Sequence, residues 1–171
     1  VRDAFSGITI NSVLQRVSTN ILSGFMETLA AEPYNGKADL PHLAETLKME
    51  IDDMFPVAEV LQMLRFAEVA EGDITLGDAG KRFVQMAVDD RKRLFATHLL
   101  AYVPLAAHIR RVLDERPNHS APFDRFKGEL EDHMQEDLAE QTLRAIISWS
   151  RYAEVFSYDE NTHAFSLENP S

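Results

Sequence analysis

The chain has 171 residues and no cysteine, and its 17 lysine and arginine residues stand against 28 aspartate and glutamate residues, a formal net charge of −11. The missing cysteine excludes disulfide bonds and thiolate metal sites. The acidic balance opposes binding to nucleic-acid phosphates and anionic membranes, and no apolar run approaches the roughly 20 residues that span a bilayer. With 45% apolar residues, the chain can form one domain or two small ones.

Residues 1–34 are expected to hold a linker or docked tail followed by a helix. Asn11 or Ser12 could cap this helix, which would run to about Ala31. Its apolar side is expected to consist of Leu14, Val17, Ile21, Phe25 and Leu29. This side has no obvious role inside one unit, so the helix is our candidate contact for a homodimer. The chain begins with Val1 rather than methionine, and we expect it to come from a longer polypeptide.

Residues 35–88 are predicted to form a winged-helix unit, starting with two helices. Asp39 is a natural N-cap for a helix over 41–47, and a turn over 48–50 leads to a second helix over 51–64. The apolar residues of the second helix recur with the 3.6-residue period of one helical face: Met54, Val57, Ala58, Leu61 and Leu64.

The two helices are followed by a hairpin pattern over residues 66–76, centred on Gly72 and Asp73. Thr75 is expected to cap a further helix over 78–88. A helix-turn-helix followed by a hairpin is the winged-helix pattern, which is usually found on DNA.

The second half of the chain is predicted to repeat this order. Connecting helices are predicted over 89–117, followed by a second winged-helix unit over 118–168 and a tail over 169–171. Residues 117–122, where the connecting helices end, are expected to form a loop. One local match supports the repeat, because the five residues from Arg65 resemble the five from Arg151. The predicted fold class is therefore mainly α with small β-hairpin wings (α+β), in tandem winged-helix units.

The predicted recognition helix of the first unit, residues 51–64, carries Asp52, Asp53 and Glu59 but no lysine or arginine. The equivalent helix of the second unit carries Glu136, Asp137 and Glu140 and a single arginine, Arg144. Because counterion release from phosphates is a main source of affinity for nucleic acid, these charges argue against DNA binding. We expect the units to contact protein instead.

Two groups of basic residues are the candidate partner contacts. Their alternative role is to pair with acidic neighbours on solvated helix faces. The first group is Lys81, Arg82, Arg91, Lys92 and Arg93, and the second is Arg110 and Arg111, with Arg116 nearby.

No catalytic residue, cofactor site or metal site is predicted. The chain has no phosphate-binding glycine loop and no nucleophile–base motif. Glu129 and His133 lie one helical turn apart, but a surface charge pair is the commoner arrangement. His98 and His108 are expected to be partly buried and hydrogen-bonded. An aromatic group near the end of the chain fits core packing, with a small-molecule or peptide pocket as the alternative: Trp149, Tyr152, Phe156, Tyr158 and Phe165.

Several segments resemble the C-terminal AAA-associated domain that is attached to ATP-binding subunits of ABC importers of the nitrate/sulfonate/bicarbonate group. The resemblance covers about residues 35–168, and Gly77 departs from it where such domains more often have proline. The segments that carry it are residues 43–45, 66–76, 91–100, 103–117 and 149–154.

The resemblance implies a non-catalytic accessory or regulatory domain that acts through protein contacts. Its partners would be the ABC ATPase domain and its transporter complex, on the cytoplasmic side of the inner membrane, without direct insertion into the membrane. A winged-helix transcription regulator and a small-ligand sensor remain the alternative functions.

Overall fold

The computed structural model describes residues 8–167, which divide into two compact units. The first unit comprises residues 17–94, and the second comprises residues 95–167 together with residues 8–16. The described residues are mainly helical with small antiparallel sheets, which confirms the predicted α+β class, mainly α with small β-hairpins.

The first unit contains four helices and three strands, and a fifth helix begins in it and continues into the second unit. Its elements are α1 (Thr19–Ala30), β1 (Lys37–Asp39), α2 (Leu40–Leu47), α3 (Ile51–Met63), β2 (Ala67–Ala70), β3 (Asp73–Leu76), α4 (Asp78–Gln85) and α5 (Val88–Tyr102). The remaining elements of the second unit are α6 (Pro104–Glu115), β4 (Ser120–Pro122), α7 (Phe123–Glu131), α8 (Glu136–Ala153), β5 (Ser157–Asp159) and β6 (Ala164–Ser166).

The local signals that predicted α2 and α3 are confirmed. Asp39 is the N-cap residue of α2, although its side chain makes no capping hydrogen bond, and Lys48 ends the helix in the left-handed conformation. The turn leads into α3, whose predicted apolar face is buried in the core. Phe66 and Phe83 are also buried, with ring centroids 5.6 Å apart, so they extend this core from the hairpin to α4.

Each unit has a three-stranded antiparallel sheet with the same connectivity. The strand order is β1-β3-β2 in the first unit and β4-β6-β5 in the second. Ala38 pairs with Ile74, and in the same position of the other sheet Ala121 pairs with Phe165. All four side chains are buried, so each sheet presents one apolar face to its own core.

Left-handed residues occupy equivalent positions in the two sheets. Gly36 has φ 102° and accepts a hydrogen bond from Leu76 N–H, and His119 has φ 52° and accepts one from Leu167 N–H. The helix-starting residues Leu40 and Phe123 likewise donate to the carbonyls of Gly72 and His163, which both have positive φ. The two units therefore follow one backbone plan.

A side chain from the preceding helix bonds to the outer strand of each sheet. Gln62 Oε1 accepts a hydrogen bond of 2.7 Å from the backbone N–H of Val69 in β2. Arg151 donates one of 2.8 Å from Nη2 to the backbone carbonyl of Tyr158 in β5. Each contact spans seven residues, so Gln62 and Arg151 hold equivalent positions.

The prediction of a helix from residue 11 or 12 to Ala31 was wrong at its start. The helix begins at Thr19, and Ser18 is its N-cap, with the hydroxyl accepting from Ile21 N–H. Residues 8–17 are not helical, because the backbone of this segment bonds to α8. Leu14 N–H donates to Thr142 Oγ1, and Leu14 C=O accepts from Gln141 Nε2.

The predicted apolar side of that helix was also partly wrong, because Ile21 is 47% exposed. The residues of α1 that are buried are Leu22, Phe25, Met26 and Leu29.

Two further expectations were wrong. Thr75 belongs to β3, where it pairs with Lys37 and Glu68, and the N-cap of α4 is Gly77. Residues 120–122, expected to be loop, form β4. This strand and β1 have three residues each, which is too short to show the alternation of apolar and polar residues that reveals a strand.

Candidate functional site

The exposed side of α3 is acidic around one apolar residue. Asp52, Asp53 and Glu59 are exposed, and Phe55 among them is 53% exposed. Asp52 and Asp53 lie in the first turn, where negative charge stabilises the helix dipole. This surface would repel phosphate and is suited to a partner with basic and apolar groups.

The hairpin of β2 and β3 extends the same charge. Glu68, Val69 and Glu71 are exposed on the hairpin, and Lys37 approaches Asp73 to 4.0 Å from the neighbouring strand. An exposed pair at this distance contributes little to stability. The hairpin therefore carries acidic side chains where a DNA-binding wing would need basic ones.

The counterpart helix in the second unit carries Arg144, which acidic neighbours hold on both sides. Its Nε is 2.9 Å from Glu140 Oε2, and its Nη1 is 3.0 Å from Glu160 Oε1. These hydrogen bonds raise the pKa of the Arg144 guanidinium, and the bond from Arg144 lowers the pKa of the Glu160 carboxyl. Arg144 therefore stabilises its own unit and is not available to attract phosphate.

Arg91 is the most enclosed of the candidate partner-contact residues. Its Nη1 is 3.1 Å from Glu27 Oε2, while Nε and Nη2 donate to the carbonyls of Met86 and Val84. Its guanidinium also lies 5.1 Å from the centre of the Phe83 ring. These contacts tie α5 to α1 and to the end of α4, so Arg91 has a structural role within the first unit.

Of the other four basic residues in this group, Lys81, Arg82 and Arg93 are exposed to solvent. Arg93 pairs with Asp90 at 2.5 Å, and Lys92 is half-buried. Lys81 and Arg82 are exposed on α4, and within residues 8–167 neither forms an ion pair. Lys81 and Arg82 are therefore the members of this group best placed to reach a partner.

Arg110 and Arg111 are neighbours on α6 with different surroundings. Arg110 is half-buried, donates from Nη1 to Val155 C=O at 2.6 Å, and lies 3.5 Å from Asp114 through Nε. Arg111 is exposed and has no ion-pair partner within the described part of the chain. Of this group, Arg111 is thus available to a partner, whereas Arg110 joins α6 to the segment after α8.

An open cavity of about 370 Å³ lies beside Arg110 in the second unit. Arg110 and Arg151 line it together with residues 154–158 and Leu167. Sequence reasoning missed this site because Arg110 and Arg151 are far apart in the chain. The only signals were the basic residue at 110 and the aromatic group near the end, of which Phe156 and Tyr158 contribute to the wall and Trp149 and Phe165 are fully buried.

Among residues 8–167 no three histidine, aspartate or glutamate side chains are grouped so that they could hold a metal ion. Glu129 contacts other residues instead, with Oε1 3.1 Å from His108 Nε2 and Oε2 3.6 Å from Arg125 Nε. His108 also packs edge-on against Phe126. The predicted partly buried, hydrogen-bonded role of His108 is confirmed.

Comparison with known proteins identifies the family. The model of the C-terminal AAA-associated domain matches residues 41–159, which is more than half of the chain. The chain therefore belongs to the C-terminal AAA-associated domain family, which confirms the resemblance, and it is an accessory domain of an ATPase-linked protein. No curated protein and no solved structure matches it. Among residues 8–167 no helix is both long and apolar enough to cross a membrane.

Proposed function

We propose that this chain is the C-terminal accessory and regulatory domain of an ABC importer ATPase subunit of the nitrate/sulfonate/bicarbonate type. It acts through protein contacts with the ATPase domain and the transporter complex, at the cytoplasmic face of the inner membrane. Its two units are winged helices that have been adapted to bind protein. Self-association into a homodimer is a second contact of the same kind.

The observation that carries this proposal is the charge on the exposed side of α3. In a winged helix this surface meets the ligand, and here it consists of Asp52, Asp53 and Glu59 around Phe55. An exposed aromatic side chain ringed by like charges resembles the centre and rim of a protein interface. It also opposes the alternative of a transcription regulator, because phosphates would meet carboxylates.

The test uses the full ATP-binding subunit in its transporter complex. The double variant Phe55→Ser with Glu59→Lys removes the aromatic centre and reverses one rim charge. We expect it to change the rate of ATP hydrolysis or transport to the same extent as deletion of the whole domain. Neither residue is in the core, so the domain should stay folded.

A matched control changes the same residue classes elsewhere in the first unit. Val88→Ser with Glu45→Lys alters one exposed apolar residue and one exposed acid, on α5 and α2. Its activity should equal that of the unmodified subunit. If deleting the domain leaves ATP hydrolysis, transport and assembly of the complex unchanged, the proposed function is wrong.

A further inference from the structure

The cavity beside Arg110 brings two arginine side chains to one wall of the second unit. It has a volume of about 370 Å³, which is within the range of small-molecule sites. Arg110 reaches it from α6 and Arg151 from the last turns of α8. In a chain of net charge −11, two guanidinium groups thus line one cavity.

Contacts within the unit fix the position of both arginines. Arg110 Nη1 donates to Val155 C=O, and Arg151 Nη2 donates to Tyr158 C=O, while the Arg151 guanidinium lies 5.7 Å from the centre of the Tyr158 ring. Fixed guanidinium groups lose little conformational freedom when they bind a ligand. The two guanidinium groups are therefore preorganised before a ligand binds.

These contacts leave hydrogen-bond donors unused. A guanidinium has five N–H groups in a planar fork that fits the oxygens of carboxylates and phosphates. The backbone bonds occupy Nη1 of Arg110 and Nη2 of Arg151, so the other terminal nitrogen of each fork is left for a ligand. Arg110 Nε is buried without a hydrogen-bond partner and has only the ion pair with Asp114.

We propose that this cavity binds a small oxyanion, which Arg110 and Arg151 hold through their free N–H groups. The group bound is a carboxylate, phosphate or sulfonate, free or carried on a compact polar molecule. The inference does not depend on the identity of the parent ATPase, because it rests only on the second unit.

Nearby carboxylates set the strength of this site. Asp114 approaches Arg110 to 3.5 Å, Glu160 approaches Arg151 to 3.4 Å, and Glu154 lies on the wall itself. These three carboxylates offset the positive charge of the two guanidinium groups, so binding relies on the geometry of the N–H donors and not on net charge. Monovalent chloride, which cannot engage a fork through two oxygens, should compete poorly.

The experiment follows the backbone amides of the full chain by NMR during separate titrations with inorganic phosphate, sulfate and acetate. Sodium chloride keeps the ionic strength constant. At least one oxyanion should cause saturable shifts that are concentrated at Val155, Phe156 and Ser157. Comparison of the three anions identifies whether the phosphoryl, sulfonyl or carboxylate group is preferred.

The variant Arg151→Gln tests the site directly. Glutamine occupies the equivalent position 62 of the first unit and bonds to its edge strand there, so the substitution keeps a hydrogen-bonding side chain and removes the charge. Loss of a charged hydrogen bond should weaken anion binding about ten-fold or more. The control Arg111→Gln removes the same charge from an exposed neighbour of Arg110 and should change the affinity by less than about two-fold.

A second variant, Arg110→Lys, keeps the charge but replaces the planar fork with a single ammonium group, and it should also weaken binding about ten-fold. If the NMR spectrum of Arg151→Gln loses the amide dispersion of a folded protein, Arg110→Lys provides the test of the site instead. The proposal is overturned if none of the three anions gives saturable shifts. It is equally overturned if the folded variants at 110 and 151 bind as tightly as the unmodified chain.

Discussion

Gly80 of α4 packs directly on the backbone of Phe66. A Cβ atom at position 80 would lie 2.4 Å from the Phe66 carbonyl oxygen and 2.4 Å from Leu76 Cδ1. The same carbonyl oxygen accepts a hydrogen bond of 2.9 Å from Gly77 N–H, so it is held from two sides. The start of α4 can therefore approach the base of the first hairpin only because position 80 has no side chain.

The substitution Gly80→Ala should destabilise the first unit. The methyl group would have to displace a backbone oxygen, and overpacking of this kind costs about 1–3 kcal/mol of the free energy of unfolding. Urea denaturation followed by circular dichroism measures this loss. A Gly80→Ala protein as stable as the unmodified chain would contradict the close packing of α4 on Phe66.

Gly128 in α7 provides the matched control. A Cβ atom there would meet no other atom within 4 Å. Replacing an exposed helical glycine with alanine reduces the conformational freedom of the unfolded chain, so Gly128→Ala should raise the free energy of unfolding by about 0.5–1 kcal/mol. The two alanine substitutions should thus have opposite effects in the same denaturation assay.

Acid should weaken the contact that joins α8 to the second hairpin. The hydrogen bond from Arg144 lowers the pKa of the Glu160 carboxyl below its ordinary value of 4.5. A lowered folded-state pKa gives stability that is present above pH 4.5 and is lost as the pH falls through the folded value. In Glu160→Gln, unfolding midpoints should therefore depend less on pH in this window, whereas Glu131→Gln should behave like the unmodified chain.

Tyr158 should titrate later than an ordinary tyrosine. Its side chain is buried against Phe123 and Phe165, and this burial raises the pKa of its hydroxyl above 10.0. The stability that it contributes is complete below pH 10.0 and is lost as the pH rises through the folded value. Alkaline titration by tyrosinate absorbance should show a late-ionising fraction that disappears in Tyr158→Phe.

The chain should not bind duplex DNA. A winged-helix protein with basic contacts shows affinity that falls steeply with salt concentration, but α3 presents Asp52, Asp53 and Glu59. In a fluorescence anisotropy assay at about 50 mM salt, where phosphate contacts are strongest, micromolar protein should leave a labelled duplex free. Salt-dependent binding tighter than micromolar would contradict the interpretation of α3 as a protein-binding surface.

The long helices could be predicted from the sequence because burial imposes a 3.6-residue period over many residues. This period located α3, whose predicted apolar residues are buried. The start of α1 could not be predicted, since the hydrogen bonds between Leu14 and α8 join residues that are distant in the chain. The short β1 and β4 depend on the same kind of distant pairing.

The pentapeptide match that suggested a repeat does not coincide with the structural repeat. Arg65 is the left-handed residue that follows α3, and its structural counterpart after α8 is Glu154, not Arg151. Arg151 corresponds to Gln62. The similarity of the two pentapeptides thus predicted a repeated order of elements. The matched residues are, however, about one helical turn away from structurally equivalent positions.

The candidate site was harder to predict than the fold. Charge patterns found the acidic surface of α3, since its residues are close in sequence. Charge patterns also selected Arg91 and Arg110 as candidate partner contacts. Both residues instead make contacts inside their own units, which the sequence does not show. The cavity between α6 and the segment after α8 joins residues with no shared local pattern.

The side-chain contacts of Gln62 and Arg151 with the outer strands have a consequence for aggregation. An outer strand can extend its sheet with a strand from another molecule when its outward N–H and C=O groups are open. Gln62 occupies the N–H of Val69, and Arg151 occupies the carbonyl of Tyr158, each at the middle of a short outer strand. Copies of the chain at high local concentration would thus be hindered from fusing their sheets.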